Sequence, residues 1–399
     1  MKKILILASD MEIGGEERAL LGLLEAIDKK QYQVDLFLLR HQGPFMRFIP
    51  VGVNLLPENE KYADLGVPIG KVLKKGHFDM VYGRMRGKYK AKRFIAQNHL
   101  RKSNSVEIHY SYKYTLNFLP DISEQQYDLA LGFTIPYYIL DKKISAKKKM
   151  VWIHTDYLAK DGDRAEELRV WSAYPYIASI SKAVTKAFLR VYPDLESRIY
   201  PIDNIVSETL IQKQADIFDV EGEMPCKENQ TCLLSIGRFV EEKNFENIPE
   251  ICAKILQKGI DIKWYIIGFG KDEKLIEKKI RESKMEDHVI VLGKKDNPYP
   301  YIKKCDIYVQ PSRYEGKAVA VREAQILHKP VIITNFPTAS SQLIDGVDGV
   351  IVPMDNDGCA KGIKNLIMDD EKRKNLIKNC SSSCYSNKEE VEKIYALMC

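Results

Sequence analysis

The chain reads as an α/β protein made of two doubly wound, Rossmann-like domains facing a central cleft. Three observations predict this. Short apolar runs of strand length alternate with helix-period segments, the mark of parallel sheets buried on both faces. The alternation occurs twice, with an aperiodic stretch at 207–230 between the halves. Finally, 399 residues hold two domains, since an ordinary domain takes roughly 100–200 residues.

The first strand is predicted at 3–8. Its apolar run, Ile4 to Ala8, meets Asp10 too soon for a secretory signal and reads as a buried strand. Further strands are predicted at 34–39, 79–82, 127–132, 150–154 and 177–180, with helices at 16–27, 92–100, 165–173 and 182–191. The second half repeats the scheme. Its strands are expected at 232–237, 263–268, 289–293, 306–310, 330–334 and 350–352, and its helices at 245–258, 271–284, 319–327 and 357–368. Residues 387–398 have a helical pattern. The expected domains are 1–206 and 207–384, with the terminal segment 385–399 packing back on the first. Open α/β sheets bind ligands outside the carboxyl ends of their strands, so the site is expected there.

Composition narrows the functional classes. Apolar content of 45% and charged content of 29% are those of a soluble globular protein. No run approaches the roughly 18 apolar residues that a membrane span needs, and a cytoplasmic location is expected. All eight cysteines lie between Cys226 and Cys399 without a C-x-x-C pair. A structural zinc site is therefore not expected. The net charge of +6 is uneven, with 32 Lys and Arg against 24 Asp and Glu in residues 1–205 and 29 against 31 in the rest. The excess is densest at 84–102, with a second cluster at 142–149. No nucleic-acid fold signature accompanies it, so nucleic acid is not an expected partner. An anionic membrane surface is.

The most informative stretch is SRYEGKAVAVRE, Ser312 to Glu323. Glu315 lies in a strand-to-helix loop and Glu323 about a turn into the helix. Gly316, Lys317, Ala318 and Val319 span the helix start, where N–H groups and the positive end of the helix dipole suit an anionic phosphate. The two carboxylates suit hydroxyls, such as those of a ribose and a sugar. Arg238 and Lys243 follow another strand and could neutralise a diphosphate, Arg as a fork and Lys as a point charge. A surface pair bridged to Glu241 or Glu242 would explain them equally well. Gly14-Gly15 ends the first strand-to-helix loop and would let a substrate approach the backbone. No G-x-G-x-x-G is present. Gly268-Phe269-Gly270 reads first as a tight turn into the next helix. His154 ends a strand where it could meet a sugar hydroxyl or a phosphate, although a lone histidine is more often structural. Asp161-Gly162-Asp163 resembles a Mg²⁺-holding pair, but capping of the following helix explains it better.

In this order, GGEERAL, WIHTD, SIGRFVEEKN, IIGFGKDE, VIVLG, QPSRYEGKAVAVREA and LHKPVIIT resemble glycosyltransferase family four, retaining enzymes of the GT-B fold. The variant EGKAVAVREA resembles bacterial surface and capsular polysaccharide members. The resemblance implies that Arg238 and Lys243 bind the donor diphosphate, Glu323 the nucleotide ribose and Glu315 the transferred sugar. It implies that backbone N–H groups around Lys317, Ala318 and Val319 meet the phosphates, beside Gly268 and Gly316. Gly15 would lie against the donor phosphates or the acceptor, and His154 near the transferred sugar. Two departures stand out: Lys317 replaces a residue that is often aromatic or aliphatic, and the first loop reads GGEE rather than GGAE or GGVE.

The expected reaction is transfer of a sugar from a nucleoside diphosphate sugar, with uridine diphosphate as carrier, to a hydroxyl of a glycan or lipid-linked acceptor. The resemblance implies retention of configuration and no metal or other cofactor. A nucleotide-sugar epimerase of similar architecture and a non-catalytic partner subunit of a transferase are the alternatives.

Overall fold

The computed structural model describes residues 1–12, 14–100, 104–134, 137–154, 162–315 and 318–398. The chain divides into two compact units, Met1–Ser207 with Asn387–Cys399, and Glu208–Ser386.

The first unit holds seven strands: β1 (Lys2–Ala8), β2 (Tyr32–Leu38), β3 (Val53–Leu55), β4 (Gln126–Gly132), β5 (Ser145–Ile153), β6 (Tyr176–Ser179) and β7 (Ile199–Pro201). They form one parallel sheet in the order β3-β2-β1-β4-β5-β6-β7. Ile4 of β1 lies opposite Val34 on one side and Leu129 on the other, and all three are buried. Burial on both faces explains why these strands are almost continuously apolar rather than alternating.

The second unit holds β8 (Thr231–Ile236), β9 (Ile262–Ile267), β10 (Val289–Gly293), β11 (Ile307–Gln310), β12 (Val331–Thr334) and β13 (Val350–Val352). The sheet order is β10-β9-β8-β11-β12-β13, again all parallel. Leu233, Trp264, Ile266, Val309 and Ile332 supply the sheet side of its core, and Ile251, Ile255, Ile363 and Leu366 supply the helix side.

Each sheet reverses its winding at one place, between β1 and β4 in the first unit and between β8 and β11 in the second. At such a point the loops leaving adjacent strands turn to opposite faces and open a crevice at the strands' carboxyl ends.

The expected strand at 79–82 is instead part of a helix, Phe78–Gln97. Its buried residues, Met80, Gly83, Gly87 and Ala91, are spaced by three and four, the helical period. Gly83 and Gly87 permit close packing on the helix Asn104–Thr115. A Cβ at either would lie 2.7 Å from a backbone carbonyl, of Tyr114 or Tyr110.

The stretch 207–230, expected as a linker, contains the helix Glu208–Ala215. At the carboxyl end, the helix Val391–Ala396 docks within the first unit. Tyr395 stacks on Tyr32 with ring centres 4.3 Å apart, and its hydroxyl accepts the Asp28 N–H at 2.8 Å. The Asn387 side chain accepts from the Val206 N–H and donates to the Asn204 carbonyl, both at 3.1 Å.

Candidate active site

The β8–β11 crevice of the second unit gathers most of the expected residues. The chain leaves β8 through Gly237 and Arg238, makes one 3₁₀ turn at Glu241–Lys243 and ends it at Asn244. Asn244 is buried and left-handed, φ 62° and ψ 25°, a conformation that asparagine tolerates better than most residues. Its side-chain amide donates to the Pro311 carbonyl at 2.9 Å, in the loop leaving β11. That second loop reciprocates: the Arg313 N–H donates to the Glu242 carbonyl at 2.8 Å, and its guanidinium pairs with Glu246 at 2.7 Å. The two loops are thus tied together on either side of the crevice.

This lacing brings Lys243 onto Glu315. The ammonium donates to Glu315 Oε1 at 2.6 Å, and the buried Ser312 hydroxyl donates to the same oxygen at 2.6 Å. Oε2 makes no hydrogen bond among the described residues. Ser312 is itself fixed, accepting from Gln310 Nε2 at 2.9 Å, and Gln310 Oε1 accepts from the Tyr308 hydroxyl at 2.6 Å. Burial holds the Tyr308 phenol well above its ordinary pKa, with the Glu323 and Glu315 carboxylates adding to the effect. The phenol is therefore a permanent donor at the base of this chain.

Glu323 lies on the helix Val319–Ile326, buried, with its Oε1 accepting from the buried Tyr299 hydroxyl at 2.8 Å. The N–H groups of Val319 and Ala320, at the first turn, have no partner among the described residues. The Ala318 N–H, expected to face phosphate, is already engaged by Gln342 Oε1 at 3.0 Å. Gly316 and Lys317 lie outside the described residues. Arg238 is exposed beside the crevice.

Gly268 fits the tight-turn reading. Its φ is +156°, and a Cβ there would lie 1.9 Å from the Gly237 carbonyl. The Phe239 N–H donates to the Phe269 carbonyl at 2.8 Å, and the Asp272 N–H to the Phe239 carbonyl at 3.1 Å. The loop after β9 therefore braces the loop that carries Arg238.

Gly15 and His154 belong to the first unit. Gly15 opens the helix Gly15–Ala26 and is exposed, and a Cβ there would meet nothing within 4 Å. Its surroundings are acidic. Burial raises the Glu17 pKa, and the carboxylates of Glu16, Asp10 and Glu12 add to the rise. Such a loop suits hydroxyls better than phosphate.

His154 stands just past β5 with its ring centre 4.5 Å from that of Phe133. Its Nε2 donates to the Phe133 carbonyl at 3.0 Å. Burial lowers its pKa to about 4, so the ring is neutral, and Nδ1 carries a lone pair with no partner among the described residues. A neutral acceptor of this kind suits an O–H donor better than an ionised phosphate. Nitrogen-15 NMR should find the Nε2–H tautomer and a titration near pH 4. The free histidine pKa lies near 6.5, so only the unfolded chain takes up this proton between about pH 6.5 and 4. Stability from this site is then full above pH 6.5 and falls through that window.

Asp163 caps the helix Arg164–Trp171, accepting from the Glu166 N–H at 3.1 Å. Asp161 lies outside the described residues. Among the described residues, no group of three or more His, Cys, Asp or Glu side chains could hold a metal ion. Likewise, no helix among them is long and apolar enough to cross a membrane.

The fold is the two-domain GT-B fold. A Staphylococcus aureus TarM mutant in complex with fondaparinux, alpha-GlcNAc-glycerol and UDP aligns over all of both chains, with a TM-score of 0.61 at 14% identity. Anabaena HepE in complex with UDP and glucose aligns over 100% of this chain and 97% of its own, with a TM-score of 0.54 at 15% identity.

Residues 220–382, which include the β8–β11 crevice, match the family model Glycosyl transferases group 1. A curated Campylobacter jejuni relative, N-acetylgalactosamine-N,N'-diacetylbacillosaminyl-diphospho-undecaprenol 4-alpha-N-acetylgalactosaminyltransferase, is 32% identical over 146 residues. That match covers 36% of this chain, and the chain spans 39% of the relative's length.

Proposed function

We propose that this protein is a retaining glycosyltransferase that moves a sugar from a nucleoside diphosphate sugar, with uridine diphosphate as carrier, to a hydroxyl of a glycan or lipid-linked acceptor. The observation that carries the reading is Glu315 in the β8–β11 crevice. One carboxylate oxygen is locked by Lys243 and Ser312, while among the described residues the other has no hydrogen-bond partner, nor do the N–H groups of Val319 and Ala320 at the start of the adjoining helix. A fixed carboxylate oxygen recognises a sugar hydroxyl. Cations and N–H groups next to it stabilise the charge that collects on a departing diphosphate.

In this reading Arg238, Lys243 and the Val319 end of the helix hold the diphosphate, and Gly316 and Lys317, which precede that helix in sequence, are proposed to bind it too. Glu323 takes the ribose hydroxyls and Glu315 a hydroxyl of the transferred sugar. His154 Nδ1 accepts from another sugar hydroxyl, and Gly15 lies against the acceptor. As the bond from the anomeric carbon to the diphosphate breaks, the electron pair leaves with the phosphate. The acceptor oxygen adds to the same face, and its proton passes to the departing phosphate oxygen. Protein cations occupy the place that a metal would take, so no metal is required. The reading includes a role in bacterial surface polysaccharide synthesis, and the match of residues 220–382 to the Glycosyl transferases group 1 model supports its coarser part, sugar transfer.

Assaying release of the nucleoside diphosphate from a panel of nucleotide sugars tests it. Slow donor hydrolysis that survives EDTA and accelerates with an acceptor is expected. Interconversion of the donor sugar with no diphosphate released, or turnover lost in EDTA and restored by Mg²⁺, overturns it.

A further inference from the structure

The helix Phe78–Gln97 has a surface that glycosyl transfer does not use. Its buried stripe is Met80, Gly83, Gly87 and Ala91. On the opposite side a surface helix normally carries polar residues. Here that side holds Phe78, Tyr82, Met85 and Tyr89, which are 69%, 59%, 59% and 64% exposed. At about 100° per residue these four fall within roughly 60° of one another, facing away from the buried stripe. Arg86 and Arg93 flank the stripe on one side, Lys88 and Lys92 on the other, all exposed. The helix carries six Lys and Arg and one acidic residue, Asp79, which is paired with Lys61. Just before it, the helix Ile69–Lys74 adds the exposed Leu73 beside Lys71 and Lys74.

Single exposed apolar residues are ordinary, but a contiguous stripe of them marks an interaction surface. The flanking charge selects the partner. An aromatic and methionine stripe between two rows of cations matches a headgroup layer, where aromatic rings sit at the interface and Lys and Arg meet anionic lipid. We propose that this face of the Phe78–Gln97 helix docks the protein on an anionic lipid bilayer, the rings entering the headgroup region and the cations pairing with lipid phosphates. The inference stands apart from the transferase reading, because none of these residues belongs to the candidate site.

The test is co-sedimentation of the full chain with vesicles of phosphatidylcholine, alone or mixed with phosphatidylglycerol. Binding to the mixed vesicles only, weakened by salt, is expected. R86Q/R93Q should lower partitioning by roughly 25-fold, about fivefold for each cation near the surface. Y82S/Y89S should lower it as well, with the circular-dichroism spectrum and melting temperature unchanged in both as a control on folding. A tryptophan placed by M85W provides a second measurement. The native Trp152, Trp171 and Trp264 are buried, so a blue shift on adding anionic vesicles reports position 85 entering the lipid. The proposal is overturned by absence of vesicle binding, by binding that the four substitutions leave unchanged, or by no shift from M85W. Salt-sensitive binding to random duplex DNA without vesicle binding would assign the face to nucleic acid. Self-association through the stripe, without vesicle binding, would assign it to a second copy.

Discussion

Replacing Lys243 with methionine lowers the transfer rate by about 10²–10³, the loss expected when one fixed donor to a developing anion is removed. The same substitution also strikes the fold. Lys243 and Glu315 are a largely buried pair at 2.6 Å, with 19% and 7% of their side chains exposed. Removing one partner of such a pair costs about 3–5 kcal/mol, because the other charge stays behind. Activity alone therefore cannot separate the two effects. The double variant K243M/E315Q removes both charges while leaving Ser312 an oxygen to bond, and thermal melts should recover most of the lost stability. If Lys243 and Glu315 have the proposed roles, the rate should stay low, because the diphosphate has still lost its cation and the sugar its carboxylate. A double variant that regains its rate together with its melting temperature would show that Lys243 acts on structure rather than on the leaving group.

Much of this arrangement was readable in the chain because its parts are local. β11 is visible as an apolar run and the helix Val319–Ile326 as a period, with Glu315 in the loop between them and Glu323 a turn into the helix. The strands announce themselves because a parallel strand buried on both faces has no polar alternation to blur it. What failed was local too. The run Asp79–Tyr82 is too short to distinguish a strand from a single helical turn by periodicity. The three-residue edge strands Val53–Leu55 and Ile199–Pro201, interrupted by Asn54 and ended by Pro201, carry too little apolar pattern to register, whereas the wholly apolar Val350–Val352 does.

The residues that organise the site were hidden for a different reason. Asn244, Tyr299 and Gln342 matter through partners that the fold brings near. Asn244 reaches Pro311 across 67 residues, and Tyr299 reaches Glu323 across 24. A sequence signal did exist for Asn244, since an asparagine directly after GRFVEEK is a natural residue for a left-handed turn. None existed for Gln342, whose engagement of the Ala318 N–H depends on how the loop after β12 returns.

Glu323 provides the second large effect, and it separates binding from departure. The Glu323→Gln change keeps an oxygen for the Tyr299 hydroxyl, so the helix should hold its position. What it removes, on the proposed reading, is a charged acceptor for the ribose hydroxyls. Hydrogen bonds to charged groups are worth about 1.5–3 kcal/mol, so the affinity for UDP should fall by roughly 10–100-fold by calorimetry. Because the ribose does not change as the sugar departs, the rate at saturating donor should move little, and the loss should appear in KM.

Inorganic pyrophosphate completes the argument, having phosphates but no ribose. Its inhibition should be unaffected by E323Q and weakened by K243M or R238A. Tyr299→Phe should act like E323Q but more weakly, since it removes one donor to the carboxylate without neutralising it. If E323Q weakened UDP and pyrophosphate alike, Glu323 would act through the phosphate turn, and the assignment of the ribose to this carboxylate would fail.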